Sequence, residues 1–233
     1  MPRAAAQGQA RAEGVTRSRG ARRRTRTSAT KRTARACVRA GAYKETMLAS
    51  LLDLQKPLHL TIEGLLSPQE CEGLIARIEE ARPALAPITT ARGPIVNTET
   101  RNNSRVMFDD PALATMLYER ALPHVPQEVM GMRACGANER LRCYKYEPGQ
   151  WFKPHYDGAF FRSNEERSLY TFMVYLNEGF TGGQTSFLDL RVDVAPRAGL
   201  ALLFQHHLLH EGSEVTSGVK YVVRSDIMYR KHA

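Results

Sequence analysis

The spacing of apolar and polar positions changes partway along the chain. Between Met47 and about Pro126 the apolar residues recur with mainly helical spacing. Ser67, Pro68 and Glu70 make an N-cap, a first-turn proline and a capping-box glutamate, with Cys71, Leu74, Ile75 and Ile78 as the apolar stripe behind them. A second helix starts at Asp110 and Pro111, carries Leu113, Leu117 and Ala121 on one face and ends by Pro123. Both helices are expected to cover a sheet. From about Asn138 onward the texture becomes short β-rich runs separated by Gly, Pro, Asn and Asp: RLRCYKY, WFKPHYD, LYTFMVYLN, QTSFL, VDVA, LALLFQ and YVVRSDIMY. Such runs predict an antiparallel sandwich or small barrel whose inside can hold a ligand. No linker separates the two blocks, so residues 47–233 read as one domain.

Composition changes that picture only at the N-terminus. The 233 residues, 42% of them apolar, suffice for one domain with a real core plus an appendage. Residues 1–46 hold eleven Arg and two Lys against Glu13 and Glu45, a net of +11; the chain total of +9 leaves −2 for residues 47–233. This basic segment has almost no large apolar residue, so it is expected to be a disordered tail. It fits a polyanion-binding arm, an organelle transit peptide, a solvated tail, or upstream translation ahead of a start at Met47, and no function is assigned to it. Cys37, Cys71, Cys135 and Cys143 show no zinc spacing, and neither a secretory signal nor a long apolar span is present, which points to a reduced, soluble, cytoplasmic setting without a membrane partner.

The candidate chemistry lies in two segments. His155 and Asp157 stand two apart in WFKPHYDG, a spacing that puts both on one face of a strand. His210, in HLLHEG, offers a third ligand from elsewhere in the chain. Two histidines and one carboxylate leave one face of a metal open, which suits Fe(II) oxygenases that bind a co-substrate and dioxygen together. His206 and His207 compete for the second histidine position, and the following Glu-Gly favours His210.

An aromatic-rich strand entering HxD, then TFMVYLN, the turn TGGQTSF, PRAGLALLF, the second His and GVKY follow in that order. In these segments, over about Leu141 to Arg230, the chain resembles the 2-oxoglutarate- and Fe(II)-dependent dioxygenases of the prolyl 4-hydroxylase catalytic-domain type. The stretch NTETRNNSRVMFDDPALA looks like bacterial members of the group. The resemblance implies a double-stranded β-helix, or jelly roll, mainly β, with N-terminal helices packed on the sheet. It implies His155, Asp157 and His210 as iron ligands, and Lys220 as the cation that pairs with the remote carboxylate of 2-oxoglutarate. Arg224, four residues further along the same strand face, is the rival for that role, with an ion pair to Asp226 as its structural alternative. Tyr146 and Tyr175 match positions that hydrogen-bond the co-substrate, and Thr171 is a candidate for the pocket wall. Fe(II), Asp157, the two carboxylates of 2-oxoglutarate and Lys220 sum to zero charge, so the assembly can be buried without an unpaired ion. Ascorbate, as the reductant that restores the iron, is implied by the resemblance alone.

The expected activity couples oxidative decarboxylation of 2-oxoglutarate to hydroxylation of a substrate C–H bond, with a prolyl residue of a peptide or protein as the lead substrate and a small molecule as another. Phe160, Phe161, Arg162, Asn102, Asn103 and Arg105 stand where they could meet it. Three alternatives make distinct predictions. A cupin-like metal enzyme without 2-oxoglutarate gives Lys220 no role, and a non-catalytic carboxylate-binding barrel makes iron and dioxygen irrelevant. A nucleic-acid-directed protein needs a basic footprint, which the near-neutral core lacks and only the tail supplies.

Overall fold

Ser67 begins the first helix as its sequence requires. Its hydroxyl accepts from the Glu70 amide at 3.3 Å, and the Glu70 carboxylate accepts from the Ser67 amide at 2.8 Å, closing the capping box. The Asp110 carboxylate caps the second helix by accepting from the Leu113 amide at 3.0 Å. The computed structural model describes residues 51–90 and 92–232; the expected disordered tail, 1–46, lies outside the described residues.

In chain order the elements are β1 (His59–Ile62), α1 (Pro68–Glu80), β2 (Ala84–Leu85), β3 (Ile88–Thr90), β4 (Gly93–Ile95), β5 (Ser104–Asp109), α2 (Pro111–Ala121), β6 (Glu128–Val129), β7 (Met132–Ala137) and β8 (Arg140–Tyr146). There follow β9 (Gln150–His155), β10 (Glu166–Tyr175), β11 (Thr181–Gly182), β12 (Thr185–Phe187), β13 (Val192–Val194), β14 (Ala201–Gln205), β15 (His210–Ser217) and β16 (Lys220–Lys231). All named strand pairs are antiparallel. The larger sheet runs β1-β14-β10-β16-β8-β5-β2, with β7 also paired to β16 and β6 paired to β7; the smaller contains β11, β15, β12 and β13, with β9 on the free side of β15.

Period-two alternation sorts the central strands between two cores. One set, Leu141 and Cys143 of β8, Phe172 and Val174 of β10, Leu203 of β14 and Val223 of β16, packs against Cys71, Leu74, Ile78, Leu117 and Ala121 of the helices. The opposite set, Tyr144, Tyr146, Tyr175, Leu202, Phe204 and Val222, faces Phe187 and Val215 of the smaller sheet. Each fully buried Leu, Ile or Phe contributes roughly 1.5–3 kcal/mol through removal from water. The result is a helix layer on a jelly roll of two facing sheets, with the second core sheltering a cavity. Among the described residues no helix is long and apolar enough to cross a membrane.

All seven anticipated β-runs contain strands. The first block, however, is not mainly helical, for it holds β1 to β5 beside its two helices. Strands β2 to β5 span six residues at most and contain no fully buried position, so they show no alternation for a pattern search to find. Strand β15 escaped for the same reason: HEGSEVTS buries only two of its eight residues.

Candidate metal centre and active site

Strand pairing brings the two histidines together. His155, the last residue of β9, is the register partner of His210, the first of β15, and Phe187 of β12 lies on the other side of His210. Asp157 is not on the strand with His155, as the spacing suggested. It lies two residues past the end of β9, where its amide donates to the His206 carbonyl at 2.9 Å. The turn still returns its carboxylate to the histidines. Ligand atoms of His155, Asp157 and His210 all lie within 4.8 Å of one another, with Nε2 of each histidine 3.7 and 3.6 Å from an Asp157 oxygen.

The ring orientations fit a cation at this point. Nδ1–H of His155 donates to the Lys153 carbonyl at 2.8 Å, and Nδ1–H of His210 donates to the Leu208 carbonyl at 2.9 Å. Each Nε2 is thus left as a bare lone pair facing the carboxylate, the outer hydrogen bonding that metal-ligating histidines commonly show. Burial, reinforced by His210, pushes the His155 pKa down to about 3, and burial lowers His210 also. Burial alone would raise Asp157, but Arg224 and then the histidines outweigh it and hold the carboxyl far below its ordinary range. Two neutral imidazoles and one carboxylate are the protonation states that a divalent ion requires.

Asp157 is fixed by two further contacts. The Thr171 hydroxyl donates to its Oδ2 at 2.6 Å, and Arg224 Nη1 lies 2.8 Å from its Oδ1. Thr171 lines the inner chamber, but its hydroxyl serves the carboxylate, a role its strand parity did not reveal. His206 is buried and bonded through Nδ1 to Thr171 at 2.9 Å and through Nε2 to Ser168 at 2.8 Å; it sits behind Asp157 and is no part of the three-ligand cluster. His207 is directed away from it, along a separate cleft.

Lys220 opens β16 opposite Tyr146 of β8, and its side chain enters the same cavity. It is 2% exposed, has no carboxylate partner among the described residues, and donates to the Gly183 carbonyl. Its Nζ lies 5.0 Å from the Tyr146 ring centre and 5.5 Å from that of Tyr175. Burial drops its pKa to about 7. Gly183 has φ +70, and a Cβ there would come within 3.1 Å of the Lys220 chain, so glycine leaves the lysine its channel. The Tyr175 hydroxyl donates to Thr185 at 2.7 Å, while Tyr146 lines the chamber. Arg224 is engaged by Asp157 and, at 3.3 Å, by Asp226, which also binds Arg142 at 2.9 Å. The pair with Asp226 was legible as an alternative; the pair with Asp157 was not.

The chamber opens into a groove of about 630 Å³, and Tyr144, Phe152, His155, Asp157 and Arg224 line both. Of the residues expected to face a substrate, Phe160 and Arg105 line the groove. The others do not. Phe161 faces a separate cleft, Arg162 pairs with Glu139 and Glu166, Asn102 binds backbone at Gly149 and Trp151, and Asn103 binds Arg101. Arg101, Arg142 and Tyr156 join the wall instead, and no local motif marks them.

Residues 141–225 match the 2OG-Fe(II) oxygenase superfamily. Prolyl 4-hydroxylase 1 of Arabidopsis thaliana is 26% identical over 197 residues, covering 71% of this chain and 66% of the relative. A putative prolyl 4-hydroxylase of Acanthamoeba polyphaga mimivirus is 31% identical over 112 residues, covering 40% and 46%. The chain thus spans just under two thirds of the first relative and about half of the second. Among solved structures, the collagen prolyl hydroxylase of Paramecium bursaria chlorella virus-1, in complex with 2OG, superposes with TM-score 0.56 at 24% identity, over 75% of this chain and 97% of that one. A Pseudomonas putida prolyl-4-hydroxylase does so with TM-score 0.55 at 20% identity, over 80% and 100%. His155, Asp157, His210 and Lys220 all fall inside the segment that matches the 2OG-Fe(II) oxygenase superfamily, and the chain has the fold of the prolyl hydroxylases on which it superposes.

Proposed function

We propose that this protein is a non-haem Fe(II) dioxygenase that couples oxidative decarboxylation of 2-oxoglutarate to hydroxylation of a substrate C–H bond, with a prolyl residue as the target. The observation that carries the reading is the pairing of two sites in one cavity: the His155, Asp157 and His210 cluster and the buried amine of Lys220, which has no carboxylate partner among the described residues. A cupin-like enzyme without 2-oxoglutarate leaves that amine without a purpose, and a non-catalytic barrel does the same for the cluster. When bound, iron and 2-oxoglutarate supply the oxidising chemistry: with dioxygen they yield succinate, carbon dioxide and one oxygen atom inserted into C–H.

The side chains bind, orient and exclude water. Nε2 of His155, Nε2 of His210 and one oxygen of Asp157 would hold the metal; Thr171 and Arg224 fix the carboxylate from behind. Lys220 would neutralise the remote carboxylate of the co-substrate, with Tyr146 and Tyr175 as the walls on either side of it. Phe204, Met173 and Val222 keep the chamber apolar between these polar ends. Ascorbate as the restoring reductant is carried from the family resemblance. No side-chain general base is needed.

The test is succinate release by purified protein given Fe(II), 2-oxoglutarate and air. His155→Ala, Asp157→Ala and His210→Ala should each abolish it and abolish tight metal binding in a competition titration. Lys220→Ala should raise the 2-oxoglutarate requirement and leave metal affinity within a few-fold. Succinate release that survives loss of the cluster, or of the metal, refutes the reading.

A further inference from the structure

The groove that meets the metal cluster has an excess of positive charge. Arg101, Arg105, Arg142 and Arg224 line it, against Asp157 as its one lining carboxylate. Arg224 and Arg142 are answered by Asp157 and Asp226. Arg101 and Arg105 have no ion pair among the described residues. Arg101 is 4% exposed, yet its guanidinium has only a neutral acceptor, Asn103 Oδ1, at 3.0 Å from Nε and 2.9 Å from Nη2. It is stacked 4.1 Å from the Phe152 ring centre and 5.0 Å from that of Tyr144, a rigid seat for a planar cation. Arg105 is half-buried beside the Tyr144 hydroxyl, with its pKa lowered by burial. Tyr144 reports the resulting field: burial alone would raise its pKa, but Arg224, Arg101 and Arg142 together bring it below the ordinary value. The Nε of Arg224 is buried at the same junction with no partner among the described residues.

A buried guanidinium is held this way at a cost unless an anion meets it. The planar fork of arginine matches a carboxylate in particular. We infer that the substrate carries a carboxylate close to the carbon that is hydroxylated, and that Arg101 and Arg105 bind it. Resting on the oxygenase reading above, this names the substrate class: a prolyl unit with an acidic neighbour, supplied either by a main-chain terminal carboxylate or by an Asp or Glu side chain. Arg101 and Arg105 become specificity-determining residues, and they line the groove, whereas Lys220, which takes the distal carboxylate of the co-substrate, lines the inner chamber.

The two sources can be told apart with four fluorescein-labelled probes and the full chain, loaded with Mn(II) and 2-oxoglutarate. One pair is Ala-Pro-Glu-Ala and Ala-Pro-Gln-Ala, both C-amidated; the other is Ala-Ala-Pro with a free and with an amidated C-terminus. Fluorescence anisotropy should show one carboxylate probe binding roughly 10- to 100-fold more tightly than its neutral twin, the range for hydrogen bonds to a charged group. Arg101→Gln and Arg105→Gln should each bring that ratio toward one. If Arg101→Gln fails to fold, the half-buried Arg105 carries the test. A preference in the first pair assigns the side-chain source, and a preference in the second the terminal one. No preference in either pair, including because no probe binds, overturns the inference, as does a preference that both substitutions leave intact. Succinate release without a prime substrate is measured in parallel, so loss of the oxygenase reading is distinguished from loss of this one.

Discussion

Binding of 2-oxoglutarate should draw a proton from solvent, and Lys220 is the reason. Burial without a carboxylate partner lowers its pKa from 10.5 to about 7. At pH 8 only about a tenth of the ligand-free protein then carries the ammonium, and at pH 6 about nine tenths does. A carboxylate placed against Nζ restores the charged form. Uptake should therefore be ~0.9 proton per ligand at pH 8 and ~0.1 at pH 6, with an affinity about tenfold weaker at the higher pH. A divalent cation in the adjacent cluster acts in the same direction on the free state, since it also disfavours the ammonium. His155 does not confuse the signal, because its pKa of about 3 keeps it neutral throughout this window, and the lowered pKa of His210 acts in the same sense.

Calorimetric titration with 2-oxoglutarate, in buffers of differing ionisation enthalpy and with Mn(II) in place of Fe(II), reads proton uptake directly. Lys220→Arg, charged at every pH, should flatten the dependence, and Lys220→Ala should remove the uptake and weaken binding at all pH values. Absence of uptake at pH 8, or uptake that persists in Lys220→Ala, refutes the assignment of the clamp. Ligand-free stability carries the same signature. With the folded pKa below the unfolded one, the unfolded chain binds more protons between about pH 7 and 10.5. The destabilisation from Lys220 is thus complete below pH 7 and relieved as pH rises through that window.

Asp226→Asn should destabilise the chain by ~3–5 kcal/mol in denaturant unfolding, since a fully buried carboxylate that answers both Arg142 and Arg224 is lost; an unchanged midpoint refutes this. Thr171→Val keeps the side-chain shape but removes the donor to Asp157, and metal affinity should fall ~10- to 100-fold in a competition titration. Gly199→Ala should lower stability by more than ~2 kcal/mol, read as a thermal shift: the residue has φ +76, and a Cβ would meet the Leu66 carbonyl oxygen at 2.1 Å.

Pattern and chemistry were legible to different depths. The capping box at Ser67 and the alternation in RLRCYKY, LYTFMVYLN and LALLFQ are strong because each residue's environment is one-sided: helix layer or inner chamber. Strands β2 to β5 and β15 lack that asymmetry and were invisible. The three-ligand cluster was legible because its members follow from spacing and family order. The contacts that position them were not, since Thr171, Arg224 and His206 reach Asp157 from β10, β16 and the turn after β14. The groove wall failed most: of six anticipated residues two line it, because Asn102, Asn103 and Arg162 are spent on backbone, Arg101 and ion-pair contacts within the fold, and Phe161 faces a separate cleft.

Charge separates the cavity into two functional halves. Around the cluster the account closes: a divalent ion, Asp157, the two carboxylates of 2-oxoglutarate and Lys220 cancel, and Arg224 with Asp226 adds a cancelling pair. That half can be dehydrated once metal and co-substrate are bound, which favours chemistry sheltered from water. Around the groove the account stays open, because Arg142 must share Asp226 while Arg101 and Arg105 have no acid partner among the described residues. Water can solvate those guanidinium groups only while the groove is empty, so a neutral substrate that filled it would strand two cations. A carboxylate would offset part of that charge, and the order of events follows: the inner half is neutral before substrate arrives, and the outer half loses positive charge only with it.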